Sequence, residues 1–206
     1  MSRYTGPVCK ICRREGGKLF ARGEKCYTEK CEVEKRNYPP GVHVETRGKM
    51  TEYGIRLREK QKVKRMYGLT ENQFKRFFVM AEKTKGVTGT NLLVLLERRL
   101  DNMVYRIGFA VSRKEARQMV SHTHVTVNGM TVNVPSYLVK EGDEIAIRHK
   151  GLVSVQNALE SVVRRGVPPW LEVNRETMTG RIKVLPVRED ITVPIKEQLI
   201  VEYYSR

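Results

Sequence analysis

The sequence lacks the features that would mark several common classes of protein. It has no apolar run long enough to span a bilayer, and no secretory hydrophobic region at the N-terminus. It also lacks a glycine-rich cofactor loop and a Ser/His/Asp arrangement, and its histidines are few: His43, His122, His124 and His149. We therefore expect a cytoplasmic protein that is not a membrane protein and not an enzyme.

Cysteine is absent beyond residue 31, and the four that precede this point form two close pairs, Cys9-x-x-Cys12 and Cys26-x4-Cys31. Crowded thiols in a reducing compartment favour metal binding over disulfides. We predict a structural site with four thiolate ligands, since no coordination position stays open for a substrate. Zinc is the preferred metal, with an iron–sulfur cluster as the alternative. Free or disulfide-bonded cysteines are the simpler possibility.

Acidic residues are scarce relative to basic ones. The 206 residues carry a formal charge of +16, and residues 1–100 hold 24 Lys and Arg against 11 Asp and Glu. A partner with many negative charges follows, because neutralising phosphates releases counterions and supplies affinity. With 40% hydrophobic residues the chain is still expected to fold.

Two helices are predicted between Thr90 and the run that begins at His124. Apolar residues repeat at three and four positions from Leu92 to Ile107, and Gly108 ends this first helix. Polar residues are expected largely off that stripe: Arg98, Arg99, Asp101, Asn102 and Arg106. Ser112-Arg-Lys-Glu115 predicts a capping box that begins the second helix.

On the second helix, apolar residues such as Ala116 and Met119 are expected to face inward. This leaves Arg113 and Arg117 one turn apart on one outward face, beside a helix N-terminus. Such an arrangement suits phosphate oxygens. The simpler interpretation is that both arginines are solvated surface charges.

A β-hairpin is predicted around Asn128-Gly129, between alternating runs at residues 124–128 and Thr131–Val134. A third run covers Asp143–Arg148. One apolar face is expected from Val125, Val127, Val132, Val134, Ile145 and Ile147. The fold class is therefore α+β, with two helices on a short, mostly antiparallel sheet.

This segment resembles the S-four RNA-binding module of ribosomal proteins and RNA-modifying enzymes. In that family the second helix and the turn after it contact RNA. The resemblance implies contacts by Arg98, Ser112, Arg113, Arg117, Gln118, His122 and His124.

A basic helix is predicted from Glu52 to Tyr67, with a thin apolar stripe. Its cations are predicted to contact RNA phosphates: Arg56, Arg58, Lys60, Lys62, Lys64 and Arg65. Residues 35–51 read as an extended arm or a solvent-exposed linker. Thr70-Glu-Asn-Gln73 caps the next helix, whose phenylalanines Phe74, Phe77 and Phe78 are expected in the core.

The whole chain resembles the family of the bacterial fourth protein of the small ribosomal subunit. Motifs in family order include Tyr38-Pro-Pro-Gly41, Gly86-Val-Thr-Gly89 and Glu197–Tyr203. The resemblance implies a primary binder of ribosomal RNA that nucleates subunit assembly, lies beside the fifth protein near the messenger entrance, and affects translational accuracy. Further RNA contacts are predicted for Arg3, Arg13, Arg14, Arg47 and Lys49.

Three regions are expected: residues 1–50 with the cysteines and the basic arm, residues 51–98 with residues 165–206 packing nearby, and the module at residues 99–164. The last portion should hold an amphipathic helix at residues 155–163, strands near Leu171 and Ile182, and Trp170 as a packing anchor.

Two other functions use the same module. An RNA-modifying enzyme would need a large catalytic domain, for which this chain leaves no segment. A stand-alone stress or rescue protein would not need the cysteine pairs and basic helix of the first hundred residues. Regulation of its own messenger is compatible with the ribosomal interpretation.

Overall fold

A computed structural model describes residues 4–41, 50–148 and 153–205. The chain divides into two compact units, Met1–Leu92 with Val193–Arg206 and Leu93–Thr192. The predicted RNA contacts Arg3, Arg47 and Lys49 lie outside the described residues, as do His43, His149 and residues 42–49 of the predicted arm. None of the described helices is both long and apolar enough to cross a membrane.

The first unit is helical where it is described. Its helices are α1 (Val8–Glu15), a 3-10 helix (Gly23–Tyr27), α2 (Glu32–Lys35), α3 (Glu52–Met66), α4 (Glu71–Lys83) and α9 (Glu197–Tyr204). Thr51 caps α3 by accepting a hydrogen bond from the Gly54 amide. The capping box predicted for α4 is confirmed, with Thr70 and Gln73 each accepting a hydrogen bond from the other's backbone amide.

The core of the first unit lies between α3, α4 and α9. The predicted core residues Phe74, Phe77 and Phe78 are buried, and Ile200 from α9 is fully buried. The Phe78 and Tyr204 rings lie 4.5 Å apart. Lys60 is only 2% exposed, which corrects the expectation that its side chain lies open for phosphate.

An ion pair with the partly exposed Glu71 accounts for the position of Lys60. Its ammonium lies 2.7 Å from Glu71 Oε1 and 4.5 Å from the centre of the Tyr203 ring. Lys64 also contacts Glu71, and the Tyr204 hydroxyl donates a hydrogen bond to it. One carboxylate therefore joins α3, α4 and α9.

This arrangement predicts a loss of stability in acid. Partial burial alone would raise the pKa of Glu71, but hydrogen bonds from Lys60 and Lys64 outweigh it and lower the pKa from 4.5 to about 2. The folded state therefore binds the proton less tightly than the unfolded state. The stabilisation is complete above pH 4.5 and is lost as the pH falls towards 2. Urea unfolding of wild type and Glu71→Gln, measured from pH 7 to pH 2, should converge at low pH; a constant difference would contradict this.

The second unit contains a five-stranded antiparallel sheet. Its elements are α5 (Thr88–Glu97), whose first residues belong to the other unit, α6 (Leu100–Ile107), α7 (Arg113–Ser121), β1 (Val125–Val127), β2 (Met130–Thr131), β3 (Glu144–Ile147), α8 (Val153–Arg165), β4 (Leu171–Asn174) and β5 (Thr179–Ile182). The strand order is β2-β1-β3-β5-β4. These helices and the sheet confirm the α+β class.

The predicted hairpin is confirmed. Asn128 and Gly129 have φ angles of 50° and 80°, as a tight turn between β1 and β2 requires. Val125 and Val127 pair with Ile147 and Ile145, and all four are buried. The second run is shorter than expected, because β2 ends at Thr131 and Val134 is 47% exposed.

The helix expected from Thr90 to Ile107 is two helices, α5 and α6. Arg99 has extended backbone angles, with φ −65° and ψ 136°. The Leu100 amide donates to the Tyr137 carbonyl, and the Val139 amide donates to the Arg98 carbonyl. A later segment therefore pairs with the chain at residues 98–100 and breaks the helix.

The C-terminal residues divide differently from the expected regions. Strands β4 and β5 extend the sheet of the second unit, because Gly180 pairs with Ile145 of β3. Only residues 193–206 lie with the helices of the first unit. Trp170 is 5% exposed in the core of the second unit, as predicted.

Candidate nucleic-acid interface and cysteine cluster

Helix α7 begins at Arg113, directly after Ser112, where the sequence predicts a capping box. The Ser112 side chain accepts from the Glu115 amide at 3.3 Å, as expected. Glu115 Oε2 accepts from the Val111 amide at 2.8 Å, so the reciprocal bond lies one residue earlier than in a standard capping box. The two bonds fix the backbone that carries Arg113.

Arg113 is half-buried and packs against α6. Its Nε donates to Asn102 Oδ1 at 2.8 Å, and its guanidinium lies 4.6 Å from the centre of the Tyr105 ring. A cation over an aromatic face gains electrostatic attraction. The guanidinium is therefore held in one place and does not project freely into solvent.

Arg117 points inward, which corrects the prediction of two arginines on one outward face. It is 7% exposed, and its Nη1 lies 3.4 Å from Asp101 Oδ2. Arg99 is fully buried and meets the same carboxylate through Nε at 3.0 Å and Nη2 at 2.6 Å. Two buried guanidinia thus share Asp101, because a buried charge needs a partner of opposite sign.

Glu97 forms the second centre of this arrangement. It is fully buried and accepts hydrogen bonds from Asn102 at 2.7 Å and from Arg106 at 2.9 and 2.6 Å. Asp101 and Asn102 are also buried, although the helical pattern places them off the apolar stripe. We call these residues the polar cluster: Glu97, Arg99, Asp101, Asn102, Arg106, Arg113 and Arg117.

The polar cluster has more positive than negative charge. Four arginines face two carboxylates, Glu97 and Asp101, so the net charge is +2. Low exposure weakens screening by solvent and salt. A phosphate beside the half-buried Arg113 would therefore be attracted. Arg98, another predicted contact, is held by a hydrogen bond from its Nε to the Val139 carbonyl at 2.9 Å.

The other end of α7 brings three predicted contacts together. Gln118, His122 and His124 line a depression of about 240 Å³, together with Glu115, Met119 and Ser154. The centres of the two imidazole rings lie 6.1 Å apart. This surface offers amide and imidazole groups for hydrogen bonding, whereas the polar cluster offers positive charge.

The six predicted contacts on α3 all have carboxylate partners in the first unit. Arg58 and Arg65 contact Glu15, and Arg56 lies 2.5 Å from Glu202. Lys62 pairs with Glu59, and Glu71 holds Lys60 and Lys64. On α1, Arg13 donates to the Tyr38 carbonyl and stacks on the Tyr38 ring, whereas Arg14 is exposed. These cations connect neighbouring helices and segments through ion pairs and hydrogen bonds. Their binding to RNA stays a prediction.

The four cysteines are free, and three of them, Cys12, Cys26 and Cys31, are buried. Burial raises the pKa of the Cys12 and Cys26 thiols, opposed by hydrogen bonds from the backbone at Leu19 and Arg22. Within the described part of the chain, no three Cys, His, Asp or Glu side chains form a group that could hold a metal ion. Four thiols are the ligands that a soft metal such as zinc prefers, and Arg22 donates a hydrogen bond to the Cys9 sulfur. The four sulfur atoms are not arranged around one point as in a four-coordinate zinc site.

Comparison with known proteins identifies the family of this chain. Residues 3–97 match the family described as "Ribosomal protein S4/S9 N-terminal domain", and residues 98–145 match the "S4 domain". Proteins called "Small ribosomal subunit protein uS4" align with 100% of this chain and 100% of their own length. Identity is 59% for that of Geotalea daltonii, 58% for Pelobacter propionicus and 57% for Citrifermentans bemidjiense. The chain belongs to the uS4 family of small ribosomal subunit proteins.

Membership in the uS4 family confirms the predicted resemblance and answers the enzyme alternative, because the family is one of structural ribosomal proteins. The S4-domain match covers the polar cluster from Arg99 to Arg117 and all of α7. The cysteine segment and α3 lie within the other match. The whole-chain alignment also excludes the interpretation as a small stress protein that carries only the module.

Sequence reasoning missed the buried carboxylates of this site. Glu97 and Asp101 are central to the polar cluster, yet neither appears among the predicted site residues. A signal existed in the sequence, since Asp101 and Asn102 interrupt a Leu-rich segment together. It did not show which arginines they hold, because Arg117 is sixteen residues away.

Proposed function

We propose that this chain is a primary binder of small-subunit ribosomal RNA that nucleates assembly of the subunit. The observation that carries the proposal is the alignment of the whole chain with uS4 proteins at 57–59% identity. The polar cluster supports it, because Arg113 is fixed before RNA arrives and loses little freedom on binding. As a bacterial ribosomal protein, the chain would act in the cytoplasm.

Further partners belong to the same proposal. We infer that the fifth protein of the subunit is a neighbour, that messenger RNA passes nearby, and that the chain contributes to translational accuracy. The basic residues Arg47 and Lys49 support a contact with messenger, although both lie outside the described residues.

Competition binding tests the proposal. Metal-loaded protein is mixed with small-subunit ribosomal RNA from Geotalea daltonii and an unrelated RNA of equal length, at several salt concentrations. We expect a large preference for the ribosomal RNA that survives moderate salt, because charge alone gives binding that falls steeply with salt and ignores sequence. Equal binding to both RNAs that collapses with salt would contradict a specific assembly role.

We also propose that Cys9, Cys12, Cys26 and Cys31 hold a structural zinc ion. When bound, the ion would supply a covalent-like cross-link between α1, the 3-10 helix and the start of α2. Cysteine binds zinc as the thiolate, so each protonated thiol of this set must lose its proton when the metal binds. Binding should therefore release protons and weaken in acid.

Metal removal is expected to unfold the cysteine segment. Metal content is measured first, and visible absorbance separates an iron–sulfur cluster from colourless zinc. After chelation, amides in residues 8–35 should exchange hydrogen much faster, whereas those of β1 and β3 in the second unit should not change. Binding to ribosomal RNA should weaken as well. Purified protein with no stoichiometric metal and a protected cysteine segment would contradict the zinc proposal.

A further inference from the structure

The basic helices of the first unit differ in whether their cations pair with described carboxylates. All six predicted contacts on α3 face a carboxylate: Glu15, Glu59, Glu71 or Glu202. Because Lys60 and the Glu15 carboxylate are nearly fully buried, an RNA phosphate would have to displace these carboxylates to reach the cations. The carboxylates would still remain close by and would repel a phosphate. The α3 cations are therefore poor candidates for the main phosphate contact of this unit.

Helix α4 and the turn after it are different. Lys75, Arg76, Lys83 and Lys85 are all exposed. None of the four side chains has a hydrogen bond or an ion pair with any residue that the structure describes. We call these four residues the α4 face. Glu82 is the acidic residue among positions 72–87, so this surface keeps a net charge of +3.

The orientation of the α4 face is fixed by the core. Phe74, Phe78 and Ala81 are buried on one side of the helix. The helical period places Arg76 and Lys83 on the opposite side and Lys75 at the edge of the buried side. Lys75 and Lys83 are eight residues apart, about 12 Å along the helix axis, so they would meet different phosphates. The capping box at Thr70 holds the start of the same helix.

The turn that carries Lys85 is also held in place. The Asn91 side chain donates to three carbonyls, those of Ala81 at 3.4 Å, Thr84 at 3.0 Å and Lys85 at 3.3 Å. Gly86 follows with a φ of 114°, a conformation that disfavours other residues. A positioned turn loses less entropy when its cations engage a ligand.

Phosphate is the occupant that this chemistry favours. A membrane surface would need an apolar face beside the cations, but the strongly apolar face of α4 is buried in the core. Val79 and Met80 are exposed between the cations, at 38% and 43%, which is too little to anchor a helix in lipid. A nucleic-acid backbone needs only positioned cations and tolerates such contacts.

We propose that the α4 face, Lys75, Arg76, Lys83 and Lys85, binds the phosphate backbone of small-subunit ribosomal RNA. The proposal rests on the proposed function and adds to it the surface by which the first unit engages RNA. It places that contact on α4 and its turn, where the cations have no partner among the residues that the structure describes.

The test uses the full, metal-loaded chain and small-subunit ribosomal RNA. Replacing all four residues with glutamine should lower the salt slope of log affinity by about 3, since each phosphate contact contributes roughly 0.7 to 0.9. Affinity at 0.1 M salt should fall at least tenfold. Because the four side chains have no hydrogen bond or ion pair with a described residue, the urea midpoint should match wild type.

A control variant removes the same charge elsewhere. Lys140, Arg175, Arg181 and Lys196 are also exposed and have no side-chain ion pair with a described residue. Changing these four to glutamine should leave the salt slope within about 1 of wild type. An equal loss of slope in both variants, or an unchanged slope in the α4 variant, would overturn the proposal. If wild type itself showed no preference for ribosomal RNA, the proposed function would fail instead.

Discussion

Replacing Asp101 with alanine should destabilise the second unit by about 3–5 kcal/mol, the usual cost of removing one partner from a buried ion pair. Asp101 is 4% exposed and accepts hydrogen bonds from Arg99, which is fully buried, and from Arg117. The variant leaves both guanidinia inside the protein without this carboxylate. Such a loss is a large part of the stability of a small unit.

Trp170 makes this measurement specific. It is the one tryptophan of the chain and lies in the core of the second unit, so its fluorescence during urea unfolding reports on that unit. Glu141→Ala is a matched control, because Glu141 is exposed and makes no ion pair with a described residue. The control should stay within about 0.5 kcal/mol of wild type. A similarly small change in Asp101→Ala would show that the carboxylate does not balance the buried arginines.

Asp101→Asn separates charge from hydrogen bonding. The amide keeps an acceptor for the Asn102 backbone amide, which donates to Asp101 at 2.9 Å, but it removes the negative charge. We expect a loss between those of the control and the alanine variant. Binding to ribosomal RNA should weaken with Asp101→Ala, since Arg113 depends on the neighbouring Asn102 for its position.

Local features of this fold could be read from the sequence because local chemistry determines them. Asn128-Gly129 supplies the positive φ angles of the hairpin turn, and Thr70 and Ser112 supply oxygen acceptors at the starts of α4 and α7. Apolar residues alternate with polar ones at Val125 and Val127, and this pattern correctly predicted which side of β1 is buried. In each case the determining residues lie within four positions of one another.

Features that depend on distant partners could not be read in this way. The break before Leu100 requires the carbonyl of Tyr137, which no local pattern near residue 99 announces. The same holds for β5, which completes the sheet by pairing with β3. The antiparallel pairing of β3 and β5 depends on residues more than thirty positions apart.

The candidate site shows the same division. The sequence places the α3 cations correctly on a helix, but their carboxylate partners are remote: Glu15 is 43 residues from Arg58, and Glu202 is 146 residues from Arg56. A basic stretch of sequence therefore predicts positive charge, but it does not predict whether that charge is already paired with a carboxylate of the protein. Lys75 and Lys83 are less conspicuous in the sequence, yet the fold leaves them without a partner among the described residues.

Replacing Ile200 with alanine should destabilise the first unit by about 2–5 kcal/mol, the range for truncating a fully buried aliphatic side chain. Ile200 lies in the middle of α9 and is fully buried. The helix has few turns, so loss of this contact should also weaken the neighbouring contacts of Tyr203 with Lys60 and of Glu202 with Arg56. These contacts connect α9 to α3.

Hydrogen exchange reports this effect locally. Amides of α3, α4 and α9 should exchange faster in Ile200→Ala, whereas those of β1 and β3 in the second unit should keep the protection of wild type. Gln198→Ala is the matched control, because Gln198 is on the same helix and exposed. Faster exchange in α9 alone would mean that α3 and α4 do not depend on it, and would contradict the role of Glu71 in joining the three helices.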